Sequence, residues 1–525
     1  MELSHSQCES WRASAFRVNA DVYTLFNSEA APFNSTSAQP ACQLSDPHSS
    51  AFIDLNGDCL ADIFLVCQGS AAWKLTYQIW IAERVVKGST PVYTFAKGGD
   101  LPPGAGALSF ADMDRDGTID VVFPSCEGST CYINIAYNKQ MPLCSEKRSG
   151  WFGVGPGEDT KGGAVEGDCR DPESNLCVVD PKFTFDFTVS KDNDLLSRIK
   201  VADIVPEAGL LMSDDLLSQP IQLPLSLGDH NKDGYPDMAL ITLPSQRQDQ
   251  TRLRLLESIA CRPKGPAQPG CPADEKKRVG KRTFEMMSRN TYAIGSLTDV
   301  RSVSFFDLAE DGSLDLLLQR LPPSNAGPHS KDSRVITFIQ NNFFYDAFML
   351  KVLTSNGACS SYCDFDTVHY KPWGVNYGGA SYKFTVLDTN GVRRAQQVGQ
   401  LAQTAYRALL TPYSYFGLGR TNNYVESLFI GTTKRRENNF VEMEGVIPNS
   451  QVIVLPWEQD GNGDPSTWKK ELYLKPGDWI PWVMVVLATI ILILLGFVLV
   501  LHTNEKREDE RERKRAVHAI NFDAL

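Results

Sequence analysis

Four nine-residue stretches repeat a pattern of oxygen-bearing side chains that suits a hard cation. They begin at Asp54, Asp112, Asp229 and Asp307 in a chain of 525 residues. Position 1 of each is one of these aspartates, and position 3 is Asn56, Asp114, Asn231 and, as the exception, Ala309. Position 5 is Asp58, Asp116, Asp233 and Asp311, and position 9 is Asp62, Asp120, Asp237 and Asp315. With the main-chain carbonyl of position 7 (Leu60, Thr118, Tyr235, Ser313) added, this alternation lets a tight loop wrap Ca²⁺ in oxygen. Gly117, Gly234 and Gly312 at position 6 suit a sharp turn that a side chain would obstruct. An EF-hand needs Glu at position 12, where this chain has Leu65, Phe123, Leu240 and Leu318, so EF-hands are excluded.

The flanks say what holds the loops. A short apolar run precedes each one (51–53, 110–111, 225–227, 303–306) and another follows (63–66, 121–123, 238–241, 316–318). These runs are too short for helices and most contain β-branched or aromatic residues, so the unit reads as strand, cation loop, strand. Repetition of such a unit is the signature of propeller blades. The long interval between the second and third loops implies an insertion or a blade without acids. Residues 145–180 are expected as an ordered surface insertion closed by a Cys169/Cys177 pair.

The elements beyond the loops set the compartment. Residues 479–501 are 23 uncharged residues, roughly 34 Å as a helix against a hydrocarbon core of about 30 Å, which predicts a transmembrane span. Six basic residues follow it closely and three precede it, so the tail is expected in the cytosol and residues 1–478 outside. The 13 cysteines include close pairs at 126/131, 169/177, 261/271 and 359/363 but no CxxC, favouring disulfides in an oxidising compartment over zinc. Asn34-Ser-Thr36 is a glycan acceptor sequon. The start lacks a basic and then apolar leader, so the expectation is a longer native product carrying a signal peptide and further loops. A net charge of −12 and no basic, aromatic-laced stripe argue against nucleic acid.

The nonapeptides with their leading Phe-Ile-Asp54, Phe-Ala-Asp112, Leu-Gly-Asp229 and Phe-Phe-Asp307 resemble FG-GAP repeats, the blades of the integrin alpha-subunit propeller. FIDLNGDCLADIFL, LGDHNKDGYPDMALI, KPWGVNYGGASYKFTVLDTNG, TPYSYFGLGRTNNYVESLFIG, VIPNSQVIVLPW, the single span and the NFDAL terminus together resemble the T-cell immunomodulatory protein (linkin) family over nearly the whole chain. The resemblance implies a type I cell-surface glycoprotein of the plasma membrane, with a seven-bladed propeller and a membrane-proximal β-domain, associated with adhesion and immune modulation. The expected fold is all-β: an FG-GAP β-propeller at 1–339, incomplete at its N-terminus, then a small β-sandwich at 340–465. A linker (466–478), a transmembrane helix (479–501) and a cytoplasmic tail (502–525) follow.

Other chemistry fits less well. Tyr377-Gly-Gly379, Asp388-Thr-Asn-Gly391 and Gly417-Leu-Gly419 lack the spacing of a phosphate loop and read as turns, and Asp460-Gly-Asn-Gly-Asp464 reads as a linker loop. The histidines form no HExxH and no G-x-S-x-G elbow occurs. His230, at position 2 of its loop, is expected to face solvent. Acids sharing a cation stay ionised, the wrong state for a general acid. The chain therefore reads as non-enzymatic, binding an unknown protein ligand outside the cell. The alternatives are a tail-anchored intracellular scaffold and, remotely, an FG-GAP-bearing hydrolase. Loop 112–120, with four acids, is expected to bind Ca²⁺ best, then 229–237, then 54–62, where Gly57 sits at position 4 and Cys59 at position 6, and 307–315 least. The terminal Phe522-Asp-Ala-Leu525 has the form of a PDZ ligand.

Overall fold

The computed structural model describes residues 42–46, 49–69, 71, 74–83, 93–144, 169–170, 175–190, 192–206, 208–218, 220–244, 250–278, 280–322, 333–342, 346–355, 363–365, 368–370, 376–387, 393–401, 410–420, 424–433, 439–456, 464–474 and 480–518. Asn34, most of 145–180, Cys359, the turn at 388–391, residues 460–463, Trp479 and Phe522–Leu525 lie outside the described residues. The chain divides into two units, 1–473 and 474–525.

The first unit is built from antiparallel meanders. Strands β1 (Ala51–Ile53), β2 (Asp62–Gln68), β3 (Leu75–Ala82) and β4 (Tyr93–Asp100) pair in sequence order. So do β5 (Ser109–Ala111), β6 (Asp120–Glu127), β7 (Thr130–Ala136) and β8 (Leu196–Lys200). The third region opens with β9 (Ala208–Leu210) and a small ladder of β10 (Ser213–Asp214) and β11 (Ile221–Gln222). Its main sheet runs β12 (Ser226–Gly228), β13 (Asp237–Pro244), β14 (Arg252–Ala260), β15 (Arg282–Met286), with β9 also on β13. The fourth sheet runs β16 (Val300–Phe306), β17 (Asp315–Arg320), β18 (Val335–Ile339). Strand β6 is covered on both faces: all of Asp120–Ser125 is buried.

Apolar cores lie between successive sheets. Phe64, Tyr77, Phe110, Phe123 and Phe187 fill the space between the first two, Val122, Ile133, Leu240 and Leu256 that between the second and third, and Ile241, Leu255, Phe305 and Leu318 the next. Face-to-face stacking of sequential meanders is how neighbouring propeller blades pack.

A sandwich follows. Its strands are β19 (Phe348–Thr354), a small ladder β20 (Cys363–Phe365) and β21 (Val368–Tyr370), then β22 (Ala380–Leu387), β23 (Arg393–Gln400), β24 (Ser414–Gly419), β25 (Val425–Gly431), β26 (Phe440–Val446), β27 (Ser450–Leu455) and β28 (Lys469–Leu474). One sheet has the order β24-β19-β27-β28 and the other β23-β22-β25-β26. Tyr382, Phe384, Phe416, Leu428, Val452 and Trp468 close the core between them. Strand β28 occupies part of the stretch expected to be a linker: Lys469–Leu474 adds to the sheet edge while keeping its side chains largely exposed. Gly417-Leu-Gly419, expected as a turn, is the end of strand β24.

In the second unit a helix runs continuously over Ile480–His518, and Pro481–Arg515 within it is long and apolar enough to cross a membrane. It continues through the charged tail, whose interleaved acids and bases support helix at i,i+4 spacing.

Among the described residues five disulfides are formed: Cys42–Cys67, Cys59–Cys177, Cys126–Cys131, Cys144–Cys169 and Cys261–Cys271. The expected Cys169/Cys177 pairing is wrong, because short separation along the chain does not decide which β-carbons meet. The described part of the 145–180 stretch mixes exposed residues, Val178 and Val179, with buried ones. Arg170, Leu176 and Cys177 are buried. Cys59–Cys177 closes 118 residues, a loop whose entropy in the unfolded chain is large. Replacing both cysteines by Ala is expected to cost about 3–5 kcal/mol in urea unfolding; a loss under about 1 kcal/mol would contradict this.

Candidate functional site

Each acidic loop joins the first two strands of its sheet. The residue before the loop pairs with the position-9 aspartate in every case: Ile53 with Asp62, Ala111 with Asp120, Gly228 with Asp237 and Phe306 with Asp315. One hydrogen-bond scheme then recurs four times. The position-9 carboxylate accepts the N–H of position 2 on Oδ2, from Leu55, Met113, His230 and Leu308 at 2.8–3.2 Å. Its Oδ1 accepts an N–H from further along the same sheet: Ala82, Asn138, Ser258 and Asn341, at 2.7–2.9 Å. The position-1 carboxylate accepts the N–H of position 6 on Oδ2, from Cys59, Gly117, Gly234 and Gly312. Position 5 accepts the N–H of position 7, an Asx turn, from Leu60, Thr118, Tyr235 and Ser313.

This scheme forces positive φ at two places. Position 4 is left-handed at Gly57, Arg115, Lys232 and Glu310, and position 6 at Cys59, Gly117, Gly234 and Gly312. Glycine at position 6 was legible as a turn residue. The second left-handed position was hidden, because three of the four residues there carry side chains. In the first loop the glycine serves position 4, and Cys59 takes position 6 with its sulfur tied to Cys177.

Such a concentration of buried acid is electrostatically incomplete. Burial, and then Asp116 and its neighbours, raise the Asp112 carboxyl well above its ordinary range and bring Asp114 up to about 7. Burial raises Asp116 also, and Asp120 is raised by burial and the other three acids. Asp229 and Asp233 are raised by burial and by the neighbouring loop acids. Asp62 is raised by burial, Asp58 and Asp54. One oxygen each of Asp112, Asp114 and Asp116 falls within 4.8 Å of the others, and Asp114 Oδ1 is buried with no hydrogen-bond partner. Carboxylate oxygens have lone pairs to spare beyond one N–H. The clustered carboxylates of Asp112, Asp114 and Asp116 in loop 112–120 therefore form a donor set that could hold a hard divalent ion.

The loops also meet the sandwich, which the sequence did not disclose. Lys383 on β22, 1% exposed, places Nζ 3.1 Å from Asp54 Oδ2 and 2.6 Å from the Gly57 carbonyl. Burial lowers the Lys383 pKa, and Asp54 beside it acts in the opposite direction. On β23, Gln397 donates from Nε2 to the Asp54 carbonyl at 3.0 Å and from its main-chain N–H to Asp112 Oδ2 at 3.0 Å. Strand β24 meets the third loop: Gly419 N–H donates to the Lys232 carbonyl at 2.8 Å. A β-carbon on Gly417 would sit 1.7 Å from Asp229 Oδ2, so only glycine allows this approach. On β19, Lys351 pairs with Asp307 Oδ2, and Tyr415 of β24 donates its hydroxyl to the Gly312 carbonyl at 2.8 Å. The Oδ2 atoms of all four position-1 aspartates thus face the sandwich.

Polar side chains stitch neighbouring loops together. Asn138 Nδ2 donates to the Leu55 carbonyl at 3.0 Å, and Asn341 Nδ2 repeats this contact on the His230 carbonyl. Arg115 reaches the carbonyls of Asp233 and Leu418, while the buried Arg170 holds those of Asp116 and Gly117. His230, expected to face solvent, is buried with Nδ1 2.5 Å from Asp237 Oδ2. Burial lowers its pKa, but the hydrogen bond and charge of Asp237 outweigh this and the net shift is upward. The reversal arises because the position-2 side chain lies beside the position-9 carboxylate that its own N–H contacts.

These features define an all-β protein in which sheets opened by acidic loops carry a β-sandwich on those loops, with, among the described residues, one candidate membrane helix toward the C-terminal end. Residues 372–473 match the family model described as ITFG1, C2 domain. The chain is 32% identical over 309 residues to a T-cell immunomodulatory protein of Macaca fascicularis, covering 58% of this chain and 91% of the relative. It is 28% identical over 482 residues to the Homo sapiens protein of that name, covering 91% and 67% of the two chains. Protein linkin of Caenorhabditis elegans is 26% identical over 488 residues, covering 91% and 66%. The chain belongs to the T-cell immunomodulatory protein family.

The two kinds of acid in the loops should behave differently without divalent cations. Asp315→Ala leaves the part-buried N–H groups of Leu308 and Asn341 without their acceptor and is expected to cost about 1–3 kcal/mol in chelator. Asp114→Ala removes an unpartnered oxygen from a crowd of like charges and should change stability by less than about 1 kcal/mol there. Equal losses in urea melts would contradict this assignment.

Proposed function

We propose that this chain is a single-pass type I protein of the plasma membrane whose stacked sheets are blades of an FG-GAP propeller. The propeller reading extends over the sheets up to β18, with the sandwich as the membrane-proximal domain. Ca²⁺ in the acidic loops stabilises the blades, and the extracellular part binds a protein partner in cell adhesion or immune modulation. The observation that carries the reading is the set of five disulfides in the unit preceding the apolar helix, since such bonds persist in oxidising compartments. The names of the relatives supply the immune context. No catalytic role is assigned to the loop acids. The terminal Phe522–Leu525 is read as a PDZ-type contact of the tail.

Topology is tested with epitope tags at both ends of the full chain in cultured cells. The tag before the sheets should be reached by antibody in intact cells and the tail tag only after permeabilisation. Both tags hidden in intact cells would favour the tail-anchored scaffold. The metal reading is tested by melting. Asp116→Ala should lose more Ca²⁺-dependent stability than Asp311→Ala, because loop 112–120 has a full oxygen set while loop 307–315 has Ala309 at position 3. Wild-type melting temperature should fall by several degrees on chelation. An unchanged melting temperature would end the calcium reading.

A further inference from the structure

The four loops share one backbone geometry, but their negative charge is met in two ways. Lys383 reaches the position-1 carboxylate of loop 54–62, and Lys351 reaches that of loop 307–315. Both lysines are buried, on different strands of the sandwich, and both approach Oδ2. Among the described residues, the carboxylates of loop 112–120 and those of Asp229 and Asp233 make no ion pair. Of the acids in the third loop, Asp237 alone pairs with a titratable base, the imidazole of His230, while the Arg115 and Arg282 guanidinium groups act on Asp229 and Asp233 from further off.

An ammonium on the position-1 carboxylate neutralises the same charge that a divalent ion would use. It touches the carboxylate that such an ion would need as a ligand, in a buried site where like charges repel strongly. We propose that Lys383 and Lys351 are built-in counter-cations that make loops 54–62 and 307–315 metal-independent docking points for the sandwich, leaving loops 112–120 and 229–237 as the two divalent-cation sites. The second half rests on the calcium reading above; the first half stands on the ion pairs alone.

The two lysine loops differ in a way that sharpens the test. Loop 54–62 has oxygen at positions 1, 3, 5 and 9, so removing its lysine should uncover a cation site. Loop 307–315 lacks the position-3 oxygen at Ala309, so removing its lysine should uncover none.

The experiment is calcium titration by calorimetry, with metal analysis after desalting, on the full chain in detergent micelles. Wild type is expected to bind two Ca²⁺ per chain, Lys383→Met three, and Lys383→Arg and Lys351→Met two. If Lys383→Met does not fold, Asp54→Asn combined with Lys383→Met removes both charges and is expected to fold and bind two. A wild-type stoichiometry of one, three or four overturns the proposal, as does a folded Lys383→Met that still binds two, or a double variant that folds and binds three. If wild type binds none, the calcium reading falls and the docking half is decided in chelator. There Lys383→Met and Lys351→Met must each lower the melting temperature by about 5 °C or more. Smaller shifts overturn that half as well.

Discussion

The structure depends on aspartate carboxylates buried against main-chain N–H groups. The position-9 aspartate of each loop holds two N–H donors, one from its own loop and one from later in its own sheet, so a single side chain fixes both the turn and the strand register. Position 1 does the same for the tip of the loop. A buried carboxylate with several N–H donors is a strong acceptor, and removing it leaves those donors without their partner. The loops are therefore structural hinges first, whatever else they hold.

That choice carries an electrostatic cost, because several acids are buried together. The sandwich relieves it where β22 and β19 bring lysines to the first and fourth loops, and the close approach of Gly417 to Asp229 shows how tightly the two parts fit. The contact between sheets and sandwich is thus a charged one, made through the same loop atoms that organise the blades. Gln397 illustrates the economy of the arrangement, since one residue on β23 contacts both the first and second loops. Any partner that displaced the sandwich from this seat would expose four acidic loops together.

Local pattern was readable and distant pairing was not. The alternation of Asp and Asn at positions 1, 3, 5 and 9, between runs such as Val121-Val-Phe123, is encoded within a dozen residues, and the strand–loop–strand unit found at all four places follows from it. In the sandwich β27 was legible for the same reason, alternating buried and half-buried residues along Ser450–Leu455, whereas Gly417-Leu-Gly419 at the end of β24 read as a turn. Lys383 and Asp54 lie more than three hundred residues apart, and nothing in the periodicity around Lys383 marks it as anything but a strand lysine. Cys59 and Cys177 failed similarly, since their meeting depends on how the second sheet's connection folds back over the first loop. The left-handed geometry at Arg115, Lys232 and Glu310 was masked by side chains that usually avoid it.

The central claim is that the loops share one hydrogen-bonded frame but answer to different counter-charges. Amide hydrogen exchange on the full chain in detergent, with saturating Ca²⁺ and then with chelator, tests it directly. The account predicts faster exchange on chelation at the amides of 116–118 and 233–235, with those of 58–60 and 311–313 unchanged. Acceleration in all four loops together, or in none, would contradict it.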